Sequence, residues 1–290
     1  PSGGLDDLAA GVLRTPIAPE RSFSDDPLRM MRAARFAAQL GFTVEATTYA
    51  AIAAMTDRLD IISAERVRDE LTKLMTAADP RRGLAILVDT GMADRVLPEV
   101  ARLRETVDEH RRHKDVYVHT LTVLEQAIAL EPDGPDFILR MSALLHDIGK
   151  PKTKALDPSG KGSFHHHEVV GATMTRTRLS ALRYPKDVVE DVSRLVELHL
   201  RFHGYSGGTW TDAAVRRYVR DAGPLLDRLH RMTRSDCTTR NARKAAALAA
   251  AYDSLERRIA VLAQREDLAA IRPDLDGNDS MAELGLAPGR

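Results

Sequence analysis

His146 and Asp147 stand side by side at the end of an apolar run, within Leu144-Leu145-His146-Asp147-Ile148-Gly149-Lys150. Burying a neutral polar group without a partner costs roughly 2–7 kcal/mol, and burying a charge costs more. A bound divalent cation is the usual compensation, because neutral imidazole and carboxylate both serve as its ligands. The alternative is a partly solvated helix end whose pair caps a neighbouring element. Gly149 and Pro151 are expected to end the helix, the glycine in a left-handed position and the proline by breaking the ladder.

Other imidazoles and carboxylates fall on apolar stripes at helical spacing. In a helix over about 116–130, Tyr117, Leu121, Leu124 and Ile128 form one stripe, and His119 lies beside it with Val123, Ala127 and Leu130. Over about 136–148, His146 is in register with Leu139 and Ala143. Over about 186–202, the apolar positions 188, 192, 195 and 196 turn His199 inward. Over about 224–237, Leu225, Leu229 and Met232 do the same for Asp236. A lone inward histidine is commonly a satisfied core residue, but a lone inward aspartate is harder to explain that way. His119, His146, Asp147, His199 and Asp236, brought inward by four helices, point to a metal site.

Composition bounds the scaffold. The chain has 290 residues, 43% hydrophobic and only 4% aromatic, rich in Ala, Leu and Arg. That suits packed helices and suits β-sandwiches poorly, so the expected fold is all-α. The formal net charge is zero, so any nucleic-acid surface must be a local patch. A single cysteine, Cys237, rules out an intramolecular disulfide framework and suits a reducing cytoplasm. No signal-peptide pattern or membrane-span-length apolar run is present, so no membrane association is expected. The chain opens on Pro1 and stops in a loop-like stretch, which suggests part of a longer protein.

Residues 1–22 read as the end of a preceding unit plus a linker. A helix is expected from Ser24 as N-cap to about Leu40, with Asp25 and Asp26 in its first turn and Pro27 early in it. Asp26 and Arg29 would then share a face that Arg32 and Arg35 extend in steps of three. That face is either solvated or reads a ligand, since a carboxylate accepts from an exocyclic amine and a guanidinium donates to ring nitrogens and carbonyls. Further helices are expected over about 47–55, 64–77 entered through Ser63, and 80–90. The span 151–166 is a Lys-, Pro- and Gly-rich loop ending in His165-His166-His167-Glu168, before a helix over about 167–182. Basic residues dominate 212–265, among them Arg216, Arg217, Arg220, Arg231, Arg234, Arg240, Arg243 and Lys244. Such helices either line an RNA backbone or are solvated faces.

Three stretches resemble, in order, the neck of the bacterial CCA-adding enzyme and poly(A) polymerase family. They are Gly3-Gly4-Leu5-Asp6-Asp7-Leu8 through Gly11-Val12-Leu13-Arg14-Thr15, then Asp25-Asp26-Pro27-Leu28-Arg29-Met30-Met31-Arg32-Ala33-Ala34-Arg35-Phe36 with Leu40-Gly41-Phe42, and Ile62-Ser63-Ala64-Glu65-Arg66-Val67-Arg68-Asp69-Glu70-Leu71. The resemblance implies nucleotide binding by Asp26 and Arg29, with Arg32 on the same face, ATP and CTP as substrates of the parent enzyme, and the 3′ end of tRNA or another RNA as partner. Asp25 stands where a glutamate is common in the family. The Asp-x-Asp strand of the family's nucleotidyltransferase head is absent from residues 1–22, so the chain by itself is expected not to polymerise nucleotides.

His119-Thr120, His146-Asp147-Ile148-Gly149-Lys150 and Ser235-Asp236 also resemble the HD phosphohydrolase superfamily, in its order. That likeness implies a divalent metal (Mg, Mn, Ni or Co) held by His119, His146, Asp147 and Asp236. His167, followed by Glu168, and His199 match members that can hold a second metal, and would either do so or bind substrate phosphate. It further implies His146, Asp147 and Lys150 as catalytic groups, with Lys150 contacting phosphate or, alternatively, solvated at a helix end. The expected substrates are phosphomonoesters or 2′,3′-cyclic phosphodiesters. Together the likenesses divide the chain into a linker (1–22), a neck (23–103), an HD domain (104–245) and a C-terminal helical body (246–290). They imply the C-terminal part of a cytoplasmic tRNA CCA-adding nucleotidyltransferase. The alternatives are a stand-alone HD phosphohydrolase and an RNA-binding module with a structural metal.

Overall fold

A computed structural model describes residues 3–106, 116–156, 162–205, 210–239 and 241–270. These are mostly helical. The first part comprises α1 (Gly4–Ala10), β1 (Val12–Leu13), α2 (Pro19–Asp25), α3 (Leu28–Leu40), β2 (Thr43–Val44), α4 (Ala46–Ala54), α5 (Ala64–Met75), α6 (Pro80–Asp89), α7 (Ala93–Val96) and α8 (Pro98–Ala101). The second comprises α9 (Val116–Ala129), α10 (Phe137–Leu145), α11 (Lys150–Thr153), β3 (Ala155–Leu156), β4 (Gly162–Ser163), α12 (His167–Ala181) and α13 (Lys186–Leu198). It continues through α14 (Asp212–Ala222), α15 (Leu226–Ser235) and α16 (Ala242–Ala270). The strands form two minimal ladders, β1 parallel to β2 and β3 antiparallel to β4.

The neck departs from expectation where its helix was read as continuous from Ser24. Ser24 lies inside α2, and the chain is extended at Asp26 (φ −148°) before α3 begins at Leu28. Proline disfavours helical geometry in the residue before it, so Pro27 breaks the helix at Asp26. The Asp26 carboxylate accepts from Leu28 N (3.3 Å) across the break. Elsewhere the caps act locally: Ser63 Oγ accepts from Arg66 N, and Asp79 Oδ1 from Arg82 N with Pro80 in the first turn. Met30, Met31 and Ala34 of α3 meet Leu71, Leu74 and Met75 of α5 and Leu84 and Leu87 of α6 in one buried core.

That core continues into the second part, where α9, α10, α12, α13 and α15 surround the His-Asp pair. Several polar ties cross the seam. Arg140 on α10 donates to Met75 O (2.9 Å) and Ala77 O (2.7 Å) at the end of α5. Arg178 on α12 pairs with Glu99 on α8 at 2.9 Å. Arg68 donates to Arg183 O (2.7 Å). The expected loop over 151–166 contains α11 and the β3–β4 ladder; 157–161 lie outside the described residues.

Much of the basic stretch is paired within the chain. Arg234 meets Asp253 (2.7 Å) and Glu256 (2.9 Å), Arg258 meets Asp212 (2.6 Å), Arg216 meets Glu266 and Arg231 meets Asp227. Arg217, Arg220, Arg243 and Lys244 are exposed, and Arg240 lies outside the described residues.

Candidate metal centre

The His and Asp residues that the stripes turned inward meet at one place. His119 comes from α9, His146 and Asp147 from the end of α10, His167 from the start of α12, His199 from the end of α13, and Asp236 from the end of α15. His119, His146 and Asp147 place one ligand atom each within 4.8 Å of one another, and so do Asp147, His167 and His199. Asp236 joins the first group, its Oδ1 3.1 Å from His119 Nε2 and 3.7 Å from His146 Nε2. Asp147 is common to both groups: its Oδ2 is 3.2 Å from His146 Nε2 and its Oδ1 3.3 Å from His167 Nε2.

Backbone carbonyls fix the imidazole tautomers. His146 Nδ1 lies 2.8 Å from Ala143 O, His167 Nδ1 2.7 Å from Phe164 O, and His199 Nδ1 2.6 Å from Val196 O. A carbonyl only accepts, so each Nδ1 carries the hydrogen and each Nε2 faces the centre. His146 and His199 follow the last residues of α10 and α13, where the final carbonyls have no partner within the helix. The Nε2 atoms of His167 and His199 are buried and make no hydrogen bond among the described residues. Buried polar atoms in this state are rare, and inward lone pairs beside a buried carboxylate fit a cation.

The charges agree. Burial alone disfavours a charged His146, but the Asp147 and Asp236 carboxylates outweigh it and raise its pKa to about 9. Burial, reinforced by the His146 charge, lowers His199 to about 3, so that ring is neutral. Burial opposes ionisation of Asp147 too, yet His146 and Lys150 hold its carboxyl well below the usual carboxylate range. Without a cation, His146 therefore holds a proton on Nε2 between the two carboxylates.

Lys150 was read as a phosphate contact or a solvated helix end. It lies against the pair, Nζ 2.8 Å from Asp147 Oδ2, with its side chain 14% exposed. His165 and His166 are exposed, unlike His167. Sequence reasoning did not find Thr238, whose Oγ1 sits 3.2 Å from His119 Nδ1. An isolated threonine carries no periodic signal, so only the fold shows its role.

The expected left-handed Gly149 is corrected: its φ is −75°. A Cβ there would lie 2.1 Å from His167 O and 2.8 Å from Gly171 N. Glycine is required because α12 crosses directly over the backbone that follows Asp147. Gly149→Ala must push apart the segments carrying Asp147 and His167, and overpacking of this kind costs about 1–3 kcal/mol or more. Thermal unfolding should show a lowered midpoint; an unchanged one would contradict the crossing.

In the neck, Asp26 and Arg29 do not act as one helical pair, because Asp26 precedes α3. Arg29 Nη1 donates to Ser22 O (3.1 Å) and Ser22 Oγ (3.0 Å). Asp26 pairs with Arg66 (3.1 Å) and approaches Arg32 (3.7 Å), while Arg32 also approaches Glu70 (3.5 Å).

Helices converging imidazoles and carboxylates around an adjacent His-Asp pair define an HD-type helical domain, and residues 116–264 match the HD domain family. Residues 41–103 match a family described as a probable RNA- and SrmB-binding site of polymerase A. The A-adding tRNA nucleotidyltransferase of Deinococcus radiodurans is 37% identical over 297 residues, covering 100% of this chain and 66% of that protein. The CC-adding tRNA nucleotidyltransferase of Thermus thermophilus is 32% identical over 295 residues, covering 99% and 65%. The fold is similar to that of the Bacillus stearothermophilus CCA-adding enzyme in complex with CTP (TM-score 0.57, 22% identity, 100% of this chain and 60% of that one). The chain belongs to the HD domain family, and along essentially its whole length it is similar to bacterial tRNA nucleotidyltransferases. It spans just under two thirds of the length of these two curated relatives, 66% and 65%.

Proposed function

We propose that this chain is part of an enzyme adding nucleotides to the 3′ end of tRNA, and that its His-Asp centre is a cation-dependent phosphohydrolase. The transfer reading is supported by the two tRNA nucleotidyltransferases that align along essentially the whole chain. In this reading the neck over 23–103 binds RNA and nucleotide. Asp26, Arg29 and Arg32 offer the carboxylate and guanidinium groups that read the base edges of ATP and CTP. The exposed Arg217, Arg220, Arg243 and Lys244 contact the RNA backbone. The HD unit is taken as 104–245, with the C-terminal body after it. No helix among the described residues is long and apolar enough to cross a membrane, and we place the protein in the cytoplasm.

The observation that carries the hydrolase reading is the pair of buried Nε2 atoms of His167 and His199, unsatisfied among the described residues and grouped with the carboxylate of Asp147. His119, His146, Asp147 and Asp236 would hold one cation, and Asp147, His167 and His199 a second. So much imidazole suits Mn²⁺, Co²⁺ or Ni²⁺ better than Mg²⁺. The cation would supply an activated water and polarise a phosphoryl oxygen. The chain's own groups do the rest. Lys150, held at the mouth by Asp147, offers a positive charge to a phosphomonoester or a 2′,3′-cyclic phosphodiester. His119 and Asp236, the more exposed ligands, border the same opening, with side chains 15% and 18% accessible.

Proton and cation compete for His146 Nε2. At a pH below about 9 the cation must displace the proton, so affinity for Mn²⁺ rises with pH and levels off above that value. Calorimetry in buffers of different ionisation enthalpy should count about one proton released near pH 7.5. The loaded protein should hydrolyse a nucleoside 2′,3′-cyclic phosphate, and His146→Ala should not. Pairing of binding with no hydrolysis would leave a structural metal and overturn the phosphohydrolase; no binding at all would overturn both. For transfer, the complete gene product should extend tRNA lacking its 3′ end, and Asp26→Ala should lose nucleotide selection.

A further inference from the structure

We propose that Gln126 is a positioning residue for Asp236, an inference that rests on the metal-centre reading above. Helix α15 ends at Ser235, and its final carbonyls have no partner within the helix. The Gln126 side chain lies against two carbonyls there, so its amide nitrogen is the atom that must face them. In that orientation it donates to Ser235 O (3.0 Å) and Cys237 O (3.3 Å). These carbonyls belong to the residues on either side of Asp236. One amide group thus grips the backbone at both flanks of a proposed ligand without touching the ligand's carboxylate.

The same helix holds the segment a second time. Gln126 follows His119 by seven residues on α9, about two turns along one face. His119 Nδ1 lies 3.2 Å from Thr238 Oγ1, and its Nε2 lies 3.1 Å from Asp236 Oδ1. From the far side, the buried Tyr252 hydroxyl of α16 donates to Thr233 O (2.9 Å). The strand of chain over 233–238 is therefore fixed at three points. Gln126 sets the angle at which Asp236 leaves it, toward His119 and His146.

Binding of Mn²⁺ to the metal-stripped chain, followed by electron paramagnetic resonance, tests this. Gln126→Met keeps the volume and removes the donor; Gln126→Glu sets a carboxylate against two carbonyl oxygens. Both should lower Mn²⁺ affinity about 10- to 100-fold, as the loss of an outer-shell partner does, with Glu the worse. Gln126→Lys, which keeps a donor of similar reach, should retain affinity within about threefold of wild type. In an Asp236→Asn background, Gln126→Met should cost less than about twofold, because the carboxylate it aims is gone. An equal loss in both backgrounds would mean a merely structural residue and overturn the proposal. Wild-type binding with unaltered Gln126 variants would overturn it alone, whereas a wild type that binds no Mn²⁺ overturns the metal-centre reading as well.

Discussion

Asp147→Ala should abolish cation binding at both halves of the centre. No other described residue belongs to both ligand groups, since Asp147 faces His119 and His146 through one oxygen and His167 through the other. The loss should exceed the roughly 100-fold upper range seen when only an outer-shell partner is removed. Asp147→Asn separates charge from shape. It keeps the size but gives up the ion pair with Lys150 and the counter-charge of His146. His146 would then titrate well below its present value of about 9, because burial would be opposed only by Asp236 and the Ala143 carbonyl. Proton release on adding Mn²⁺ at pH 7.5 should disappear together with binding. Should either variant bind Mn²⁺ within tenfold of wild type, Asp147 is no shared ligand, and the two-cluster arrangement fails.

How much of this could be read from the sequence depended on whether a signal was periodic. His119, His146, His199 and Asp236 sit at helical spacing from buried leucines, valines and methionines, so the 3.6-residue period turned them toward one interior. His167 could not be turned that way, since it opens its helix; the likeness to a known motif carried it. Interactions across the chain had no such signature. Gly149 carries its requirement from His167 O, which is far away in sequence, and local rules suggested a left-handed cap instead. Lys150 was legible as a cation near the site but not as the partner of Asp147. In the neck the error was local. The residue before Pro27 is driven to an extended conformation, and that rule, given more weight, separates Asp26 from α3. The first strand pair was hidden for another reason: two residues per strand give no alternation to detect.

The largest effect on stability should come from Arg140. Its guanidinium makes a bidentate pair with Glu131, both distances 2.7 Å, and both side chains are 4% exposed. The remaining nitrogen satisfies Met75 O and Ala77 O, which stand past the useful reach of the α5 ladder. Glu131 Oε1 also accepts from Asp136 N, at the entrance of α10. Arg140→Met leaves a buried carboxylate without its counter-ion and two carbonyls without donors, and breaking such a pair costs about 3–5 kcal/mol. Adding Glu131→Gln should recover part of this by removing the stranded charge, though not the share owed to the carbonyls. Because α10 carries Arg140 and leads directly into His146, the damage should also reach the cation site. Urea unfolding of the metal-free protein measures the first effect and Mn²⁺ titration the second. A single-variant cost below about 1 kcal/mol would place Arg140 among ordinary surface pairs, and the seam between neck and HD domain would then rest on apolar contact and its other polar ties.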